Sequence, residues 1–275
     1  MSNKTWFITG TSRGFGREWT IAALERGDRV AATARKLETL EDLVAKYGDR
    51  LLPIALDVRN KADVTVAVDR AHEHFGRLDV IVNNAGYGLF GMLEEVSEQE
   101  ARDQLETNVF GAIWVTQAAL PHLRAQKSGH ILQISSIAGI TAFPSLGLYN
   151  ASKWALEGFS QSLAAEVAAF GIRVTLIEPG GFDTDWGGAS AVRATPIAAY
   201  SELHKRIAEV RKHPSSKQGD PNATATAIFK VVDADKPPLR LFLGATPLAL
   251  AKADYSKRLA EWEAWSEVSQ AAQGN

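Results

Sequence analysis

Short apolar segments alternate with longer amphipathic segments along the whole chain. Most of the short segments are rich in Val, Ile, Leu and Phe with little polar alternation, which is typical of parallel strands covered on both faces. The segments between them are long enough for crossover helices. The strands predicted in this way are Thr5–Thr9, Arg29–Ala34, Leu51–Leu56, Leu78–Val82, His130–Ile134, Ile172–Ile177 and Leu239–Leu243.

The repeated order of strand and helix predicts the fold class. It indicates an α/β structure, a Rossmann-type doubly wound parallel sheet of about seven strands with helices on both faces. Ser97 with Glu100 fits a capping box at one helix start, and Asp220 before Pro221 fits an N-cap at another. No repeat or linker divides the chain, so we expect residues 1–275 to form a single domain.

Two segments depart from this alternation. About forty residues between Ile177 and Pro221 contain no predicted strand, and connections of that length are usually functional or disordered. Apolar residues at near-helical spacing there favour an amphipathic lid over a substrate pocket at about residues 183–218; a surface insertion on the sheet edge is the alternative. A helical extension is predicted at about 247–272, with Trp262 and Trp265 buried against the domain or a partner subunit. The lid residues at helical spacing are Ile197, Tyr200, Leu203, Ile207 and Val210.

Composition and charge narrow the function classes. A net charge of −2 argues against broad electrostatic binding to nucleic acid or to an anionic membrane. The absence of cysteine excludes disulfides, thiol catalysis and thiolate metal sites. No apolar run is long enough for a signal peptide or a membrane span. We expect a cytoplasmic enzyme that needs no metal.

A glycine-rich turn follows the first predicted strand with the spacing G-x3-G-x-G. Glycines allow a sharp turn and close approach of a pyrophosphate, which free N–H groups and the helix dipole would then hold. A merely structural turn is the alternative. A Walker loop is excluded, because no Gly-Lys-Ser/Thr follows. The residues expected to contact a dinucleotide here are Gly10, Ser12, Arg13, Gly14, Phe15 and Gly16.

The end of the second strand predicts which dinucleotide binds. A carboxylate there would accept hydrogen bonds from the ribose 2′-hydroxyl and repel a 2′-phosphate, but residues 32–36 contain none. Arg35 can instead pair with a phosphate, and Arg13 adds a second cation nearby. The pattern favours NADP(H) over NAD(H), unless both arginines are only solvated surface charges.

Tyr149 and Lys153 are four residues apart on a predicted helix, so their side chains share one face. A phenol has an ordinary pKa of about 10, too high for efficient proton transfer at neutral pH. A nearby ammonium is expected to lower that pKa. Such a pair also occurs on ordinary solvated helices, so the spacing alone does not establish a site.

The order of motifs along the chain resembles that of the short-chain dehydrogenase/reductase family. After the glycine turn come Asn83-Asn84-Ala85-Gly86, Ser135-Ser136, Tyr149-x3-Lys153 and Pro179-Gly180, and the resemblance covers roughly residues 5–185. It implies that Tyr149 is the catalytic acid/base and that Lys153 lowers its pKa and holds the nicotinamide ribose. It also implies that Ser136 steadies the substrate oxygen and that Asn108 supports a water-linked proton path.

The resemblance assigns further residues to the cofactor. Asp57 and Val58 would contact adenine, Asn83 would brace the fourth strand and approach the adenosine ribose, and Thr184 would contact the carboxamide. Phe182 stands where a smaller residue is common beside the nicotinamide, which puts the pocket shape in doubt. The remaining cofactor-binding positions implied are Ala85, Gly86, Pro179 and Gly180.

The function expected is NADP(H)-dependent interconversion of a carbonyl and an alcohol on a lipophilic small molecule. A 3-oxoacyl thioester reductase and a non-catalytic NADP(H)-binding sensor are the alternatives. The resemblance also implies a homodimer or homotetramer. Apolar residues that follow strand ends or flank the catalytic segment are candidates for the substrate pocket or for ordinary core packing: Tyr87, Phe90, Phe143, Leu146, Phe182 and Trp186.

Overall fold

The computed structural model describes residues 3–212 and 218–274. The strands in this part of the chain are β1 (Thr5–Thr9), β2 (Arg29–Ala34), β3 (Leu51–Ala55), β4 (Val80–Asn83), β5 (Leu89–Phe90), β6 (Gly129–Ile134), β7 (Ile172–Pro179), β8 (Val192–Arg193) and β9 (Arg240–Leu243). The helices are α1 (Gly14–Glu25), α2 (Glu41–Tyr47), α3 (Lys61–Phe75), α4 (Glu98–Leu105), α5 (Gly111–Gln126), α6 (Gly147–Val167), α7 (Ser201–Lys212), α8 (Thr224–Asp233), α9 (Pro247–Ala264) and α10 (Ser266–Ala271).

Seven of the strands form one parallel sheet in the order β3-β2-β1-β4-β6-β7-β9. This order confirms the predicted Rossmann-type fold. The largest differences from the predicted strand bounds are that β4 begins at Val80 rather than Leu78 and that β7 continues to Pro179; the other bounds agree to within one residue. The capping box of Ser97 with Glu100 is confirmed at the start of α4.

The sheet is covered on both faces, which explains why its strands lack polar alternation. Trp6 and Ile8 of β1 belong to one buried cluster, whose helical residues include Trp19 of α1. Phe7, between them in sequence, belongs to the opposite cluster with Val115 of α5. Neighbouring residues of an extended strand point to opposite faces, so a strand inside two cores must be apolar throughout.

The order of the strands creates a crevice at the carboxyl ends of the central strands. β1 lies between β2 and β4, and the helices that follow β1 and β4 pack on opposite faces of the sheet. The connections therefore diverge at the carboxyl ends of these two strands, where open α/β sheets bind ligands.

The long segment after β7 corrects one expectation and confirms another. It was expected to contain no strand, but β8 lies in it and pairs with β5 through Leu89↔Val192. A two-residue strand leaves no periodic pattern to detect. The helical spacing is confirmed by α7, and Asp220 caps the turn Pro221–Ala223 that precedes α8. Residues 213–217 of the proposed lid lie outside the described residues.

The C-terminal helices pack loosely on the rest of the chain. Trp262 is 60% exposed and Trp265 is 62% exposed. The expectation that the domain buries these two indoles is therefore wrong. Their burial against a partner subunit stays a prediction. None of the helices described is both long and apolar enough to cross a membrane.

Candidate active site

A cleft of about 1600 Å³ opens at the carboxyl ends of the parallel strands. It brings together most of the residues singled out from the sequence, including both ends of the predicted cofactor site. Gly16, Asn83 and Asn108 do not line it and act from behind its wall. The predicted residues that line the cleft are Gly10, Ser12, Arg13, Gly14, Phe15, Arg35, Asp57, Val58, Ala85, Gly86, Ser136, Tyr149, Lys153, Pro179, Gly180, Phe182 and Thr184.

The glycine turn between β1 and α1 forms one side of the cleft. Gly10 adopts a φ of +70°, which favours glycine, and a Cβ at Gly16 would lie 2.5 Å from the Gly10 carbonyl oxygen. Asn84 holds the turn against β4, because its side-chain amide donates to the Thr9 and Gly10 carbonyls at 2.9 and 3.0 Å. No side chain caps the start of α1, so its first N–H groups are available to an anion.

Asn83 braces the sheet from behind the cleft. Its buried side-chain amide donates to Thr116 Oγ1 and Gln133 Oε1, both at 3.0 Å, and to the Ala112 carbonyl at 3.3 Å. These contacts tie β4 to α5 and β6, which is the bracing part of the role implied for Asn83. Its neighbour Asn84 is the residue that reaches the cleft.

Charged residues mark the end of the cleft beyond β2. Arg35 is exposed and forms no ion pair with any residue in 3–212 or 218–274. Asp57 pairs with Arg59 at 2.7 Å, and this guanidinium holds the pKa of Asp57 below its ordinary value. Arg13 is engaged differently from the expectation, because it pairs with Asp185 across the cleft.

The catalytic candidates meet at the base of the cleft. Ser136 follows β6, accepts a hydrogen bond from the Ala138 amide at 3.1 Å and is hydrogen-bonded to the Tyr149 hydroxyl. Lys153, one turn after Tyr149 on α6, donates its ammonium to the Ile134 carbonyl at 2.7 Å. Both side chains are buried, so the proton-transfer candidates are held by hydrogen bonds and shielded from water.

Asn108 lies behind Lys153 in one turn of π-helix, Glu106–Phe110, and such turns often occur at functional sites. Its side chain accepts from the Tyr87 amide and contacts Ser152 Oγ, both at 3.1 Å. A Cβ placed on Gly86 would lie 3.1 Å from Asn108 Oδ1 and 3.8 Å from Lys153 Nζ. The lack of a side chain at Gly86 therefore leaves Asn108 and Lys153 facing one small space.

Burial has the largest effect on the pKa values of Tyr149 and Lys153, and it shifts that of Tyr149 in the direction opposite to the expectation. Burial raises the pKa of Tyr149 to about 12, against a lowering effect of the Ser136 hydrogen bond. Burial lowers the pKa of Lys153 to about 8, against a raising effect of Glu157. The expectation that Lys153 makes the phenol acidic is wrong for this structure, because the lysine ammonium is bonded to a carbonyl, 5.6 Å from the Tyr149 ring centre.

Aromatic side chains pack around the ring of Tyr149. The Trp186 ring lies 5.0 Å from the Tyr149 ring and 5.1 Å from the Phe90 ring, measured between centroids. Phe143 and Leu146 belong to the same apolar cluster. Phe182 packs edge-on against Phe15 at 5.3 Å, on the cofactor side. The part of the cleft beside the Tyr149 ring is therefore apolar.

The comparisons with known proteins agree with this geometry. A family model described as short chain dehydrogenase matches residues 4–192. The oxidoreductase BOA17 of Botryotinia fuckeliana is 44% identical over 271 residues, which cover 98% of this chain and 99% of that protein. The chain belongs to the short-chain dehydrogenase family. Within the family, the crystal structure of a short-chain dehydrogenase from Streptomyces avermitilis is 40% identical, covers 98% of both chains and superposes with a TM-score of 0.91.

Related structures hold both forms of the nicotinamide cofactor. An alcohol dehydrogenase from Thermococcus sibiricus, complexed with 5-hydroxy-NADP, is 28% identical over 88% of this chain and 96% of its own, with a TM-score of 0.74. A 3-ketoacyl-(acyl-carrier-protein) reductase from Brucella melitensis, complexed with NADH, is 26% identical over 87% and 96%, also with a TM-score of 0.74. Membership of the family therefore does not decide between NADP(H) and NAD(H).

Several residues of the site were missed in the sequence. Asn84 and Arg59 each lie within two positions of a predicted residue, so the motif pattern could have included them. Asp185 follows the predicted Thr184, but its pairing with Arg13 left no pattern in the sequence, since 172 positions separate the two residues. Among residues 3–212 and 218–274, no group of three His, Asp or Glu side chains is arranged to hold a metal ion.

Proposed function

We propose that this protein is an NADP(H)-dependent oxidoreductase that interconverts a carbonyl and an alcohol on a lipophilic small molecule. The observation that carries the proposal is the buried Tyr149 hydroxyl, hydrogen-bonded to Ser136 and one turn from Lys153, at the base of an apolar cleft. A hydroxyl in this position can meet a substrate oxygen only within the cleft.

The residues present fit a nicotinamide dinucleotide. Glycine at positions 10 and 16 allows the turn to pack closely against Asn84, and α1 begins without a side-chain cap, which leaves its first N–H groups available to a pyrophosphate. Arg35 directly follows β2, and residues 32–36 contain no carboxylate; this supports NADP(H), because a guanidinium pairs with a 2′-phosphate. The bound cofactor would supply or accept the hydride.

The side chains of the protein would then stabilise the developing charge and transfer the proton. During carbonyl reduction, negative charge develops on the substrate oxygen, and the Ser136 and Tyr149 hydroxyls would donate hydrogen bonds to it. Tyr149 would transfer its proton to that oxygen, which leaves a phenolate. The Lys153 ammonium would stabilise the phenolate until it regains a proton. A pKa of about 12 keeps Tyr149 protonated before the reaction, as a proton donor requires.

The substrate class follows from the apolar wall and its cover. Trp186 and Phe90 would contact an apolar group next to the carbonyl, and water would be excluded around the reacting oxygen. We propose that α7 and the segment before it form the lid. Glu95 bonds both the Ile197 amide at 2.9 Å and His204 at 2.7 Å, so the lid is anchored beside the cleft.

Two alternative functions can be distinguished from the proposed one by features of the chain. A 3-oxoacyl thioester reductase would benefit from a basic surface for an acidic carrier, whereas the net charge here is −2. A non-catalytic NADP(H) sensor would have no need of Tyr149 and Lys153 in contact with the cleft. We propose a homodimer or homotetramer as the assembly, in line with the exposed indoles of Trp262 in α9 and of Trp265 directly after it.

Replacing Tyr149 by phenylalanine tests the proposal directly. A panel of ketones and aldehydes is screened by the absorbance of NADPH, with NADH in parallel. We expect Tyr149→Phe to lose about 10²–10⁴-fold in turnover, because general acid catalysis contributes that much. Binding of NADPH, followed by its fluorescence, should remain. The matched control is Tyr87→Phe, which removes another cleft-lining hydroxyl.

Three outcomes decide between the hypotheses. Turnover lost in Tyr149→Phe and kept in Tyr87→Phe supports the proposal. Unchanged turnover in Tyr149→Phe rejects it. Binding of NADPH by the wild-type protein without turnover of any carbonyl would favour the sensor.

A further inference from the structure

A second buried polar cluster lies directly behind the catalytic lysine. Glu157 is one helical turn beyond Lys153 on α6, Glu178 lies in β7, and Arg240 begins β9. Glu178 is fully buried and Glu157 is 6% exposed. Acidic side chains are almost never fully buried unless they are paired, so this arrangement needs a physical explanation.

The hydrogen bonds indicate that the two carboxyl groups share one proton. Arg240 Nε donates to Glu157 Oε2 at 2.9 Å, but lies 3.5 Å from Glu178 Oε1 in an ion-pair contact. Neither Glu178 oxygen accepts a hydrogen bond from a donor in the described part of the chain. Arg240 Nε therefore lies close to both carboxyl groups, and two negative charges held so near each other in a buried site favour a proton on one of them.

The arginine decides which carboxyl carries that proton. Because Arg240 bonds Glu157, the negative charge is stabilised there, and the proton belongs on Glu178. Burial and the neighbouring charge of Glu157 raise the pKa of Glu178 well above its ordinary value. The pair therefore carries a single negative charge near neutral pH, located on Glu157.

That charge acts on the proton-transfer machinery. Burial alone lowers the pKa of Lys153, and the charge of Glu157 opposes this effect. Both side chains are buried, and Gly139 packs closely on this part of α6, since a Cβ there would lie 3.1 Å from both Glu157 Cγ and the Lys153 carbonyl oxygen. A charge acts strongly across such a dry region.

We propose that Glu157 and Glu178 share one proton, and that Glu157 is a positioning residue that keeps Lys153 in its ammonium form beside Tyr149. The inference rests on the proposed function for its catalytic meaning. The charged groups that face Glu157 are Lys153 on its own helix, Glu178 on β7 and Arg240 on β9. The turn Ile137–Gly139, packed on the same side, adds no titratable group.

The first test follows the Lys153 amine itself. Protein labelled with ¹³C at the lysine side chains is titrated by NMR, and the Lys153 resonance is assigned by its loss in Lys153→Met. We expect Glu157→Gln to lower the midpoint of Lys153 by about one pH unit, in line with the effect of a nearby opposite charge. Glu178→Gln, a control of equal size, should not lower it, because Glu157 stays charged. An unchanged midpoint in Glu157→Gln, or an equal decrease in both variants, overturns the positioning role.

The second test detects the shared proton. Infrared spectroscopy at pH 6 should show the band of a protonated, buried carboxyl group that disappears in Glu178→Gln. A band that is absent from the wild-type protein, or that persists in Glu178→Gln, overturns the shared proton. Thermal melting at the same pH confirms that each variant is folded.

The pH profile of turnover connects the pair to catalysis. For the best carbonyl found in the screen, the alkaline limb of kcat should move to lower pH by about one unit in Glu157→Gln and should not move down in Glu178→Gln. The KM for NADPH should be unchanged in both. If no carbonyl is reduced by the wild-type protein, the proposed function fails, while the NMR and infrared results still decide the inference about Glu157.

Discussion

We predict that Arg35 contributes more than Arg13 to a preference for NADPH over NADH. Arg35 is exposed at the end of β2 and lines the cleft without an ion pair to any described residue. Arg13 is paired with Asp185, and Asp185 also accepts hydrogen bonds from Ser190 Oγ at 2.5 Å and the Ala189 amide at 3.0 Å. A phosphate would have to displace a carboxylate to gain Arg13, whereas Arg35 is free to bind it.

The magnitude of the effect follows from the chemistry of the contact. A hydrogen bond to a charged group contributes about 1.5–3 kcal/mol. Arg35 is exposed, so water and salt screen the contact and the lower end applies, about 1.5 kcal/mol. This corresponds to about a tenfold weaker Kd for NADPH in Arg35→Ala. The Kd for NADH should change by less than about twofold, since NADH has no 2′-phosphate to lose a partner.

Titrations of NADPH and NADH fluorescence at low and high salt measure these constants. Lys36→Ala is the matched control, because Lys36 is the exposed neighbour, removes the same charge and does not line the cleft. Arg13→Ala should weaken NADPH less than Arg35→Ala does. An equal loss of NADPH and NADH affinity in Arg35→Ala would show that Arg35 does not recognise the phosphate. A similar loss in Lys36→Ala would show that only net charge matters.

Three further predictions follow from packing and burial. Gly16→Ala places a Cβ 2.5 Å from a backbone oxygen and should weaken NADPH binding more than tenfold in the same titration, whereas Gly158→Ala, with nothing within 4 Å, should not. Trp186→Ala should raise the KM of the best lipophilic ketone while small ketones change little in the NADPH assay, because the apolar cover of Tyr149 is lost. Burial lowers the pKa of His130 from 6.5 to about 3. As the pH falls below 6.5, this histidine therefore binds a proton in the unfolded chain but not in the native protein. The wild-type protein should lose about 2 kcal/mol of stability from this group between pH 7 and pH 5, measured by urea unfolding, and His130→Gln should not.

The fold was predictable because the position of each strand in the sheet leaves a pattern in the strand's own sequence. A strand with cores on both faces must be apolar throughout, so Thr5–Thr9 could be recognised without any knowledge of its neighbours. The helical spacing of α7 was visible for the same kind of reason. β8 was not predictable, because its two residues become a strand only by pairing with Leu89 and Phe90, about a hundred positions away.

The sequence was enough to predict which residues form the candidate site, but not all of the contacts between them. The spacing of glycines, of Tyr149 and of Lys153 indicates residues that lie close to each other along one turn or one helix. Contacts between distant segments leave no such pattern, and the pair of Arg13 with Asp185 is the clearest example. The proton that we propose Glu157 and Glu178 share is another, since it would depend on the alignment of a helix with a strand.

The protonation of Tyr149 shows why residue spacing alone gave the wrong electrostatics. Seen in sequence, an ammonium one turn from a phenol indicates an acidic phenol. In the fold both groups leave water, and burial disfavours the charged form of each, so the pKa of Tyr149 rises to about 12 while that of Lys153 falls to about 8. The two groups remain a neutral phenol and an ammonium at neutral pH, which is the state that can donate a proton to a developing oxyanion and then stabilise the phenolate left behind. Burial therefore suits the pair to the carbonyl reduction that we propose, and the role that we propose for the Glu157 charge is to preserve the ammonium on which that reaction would depend.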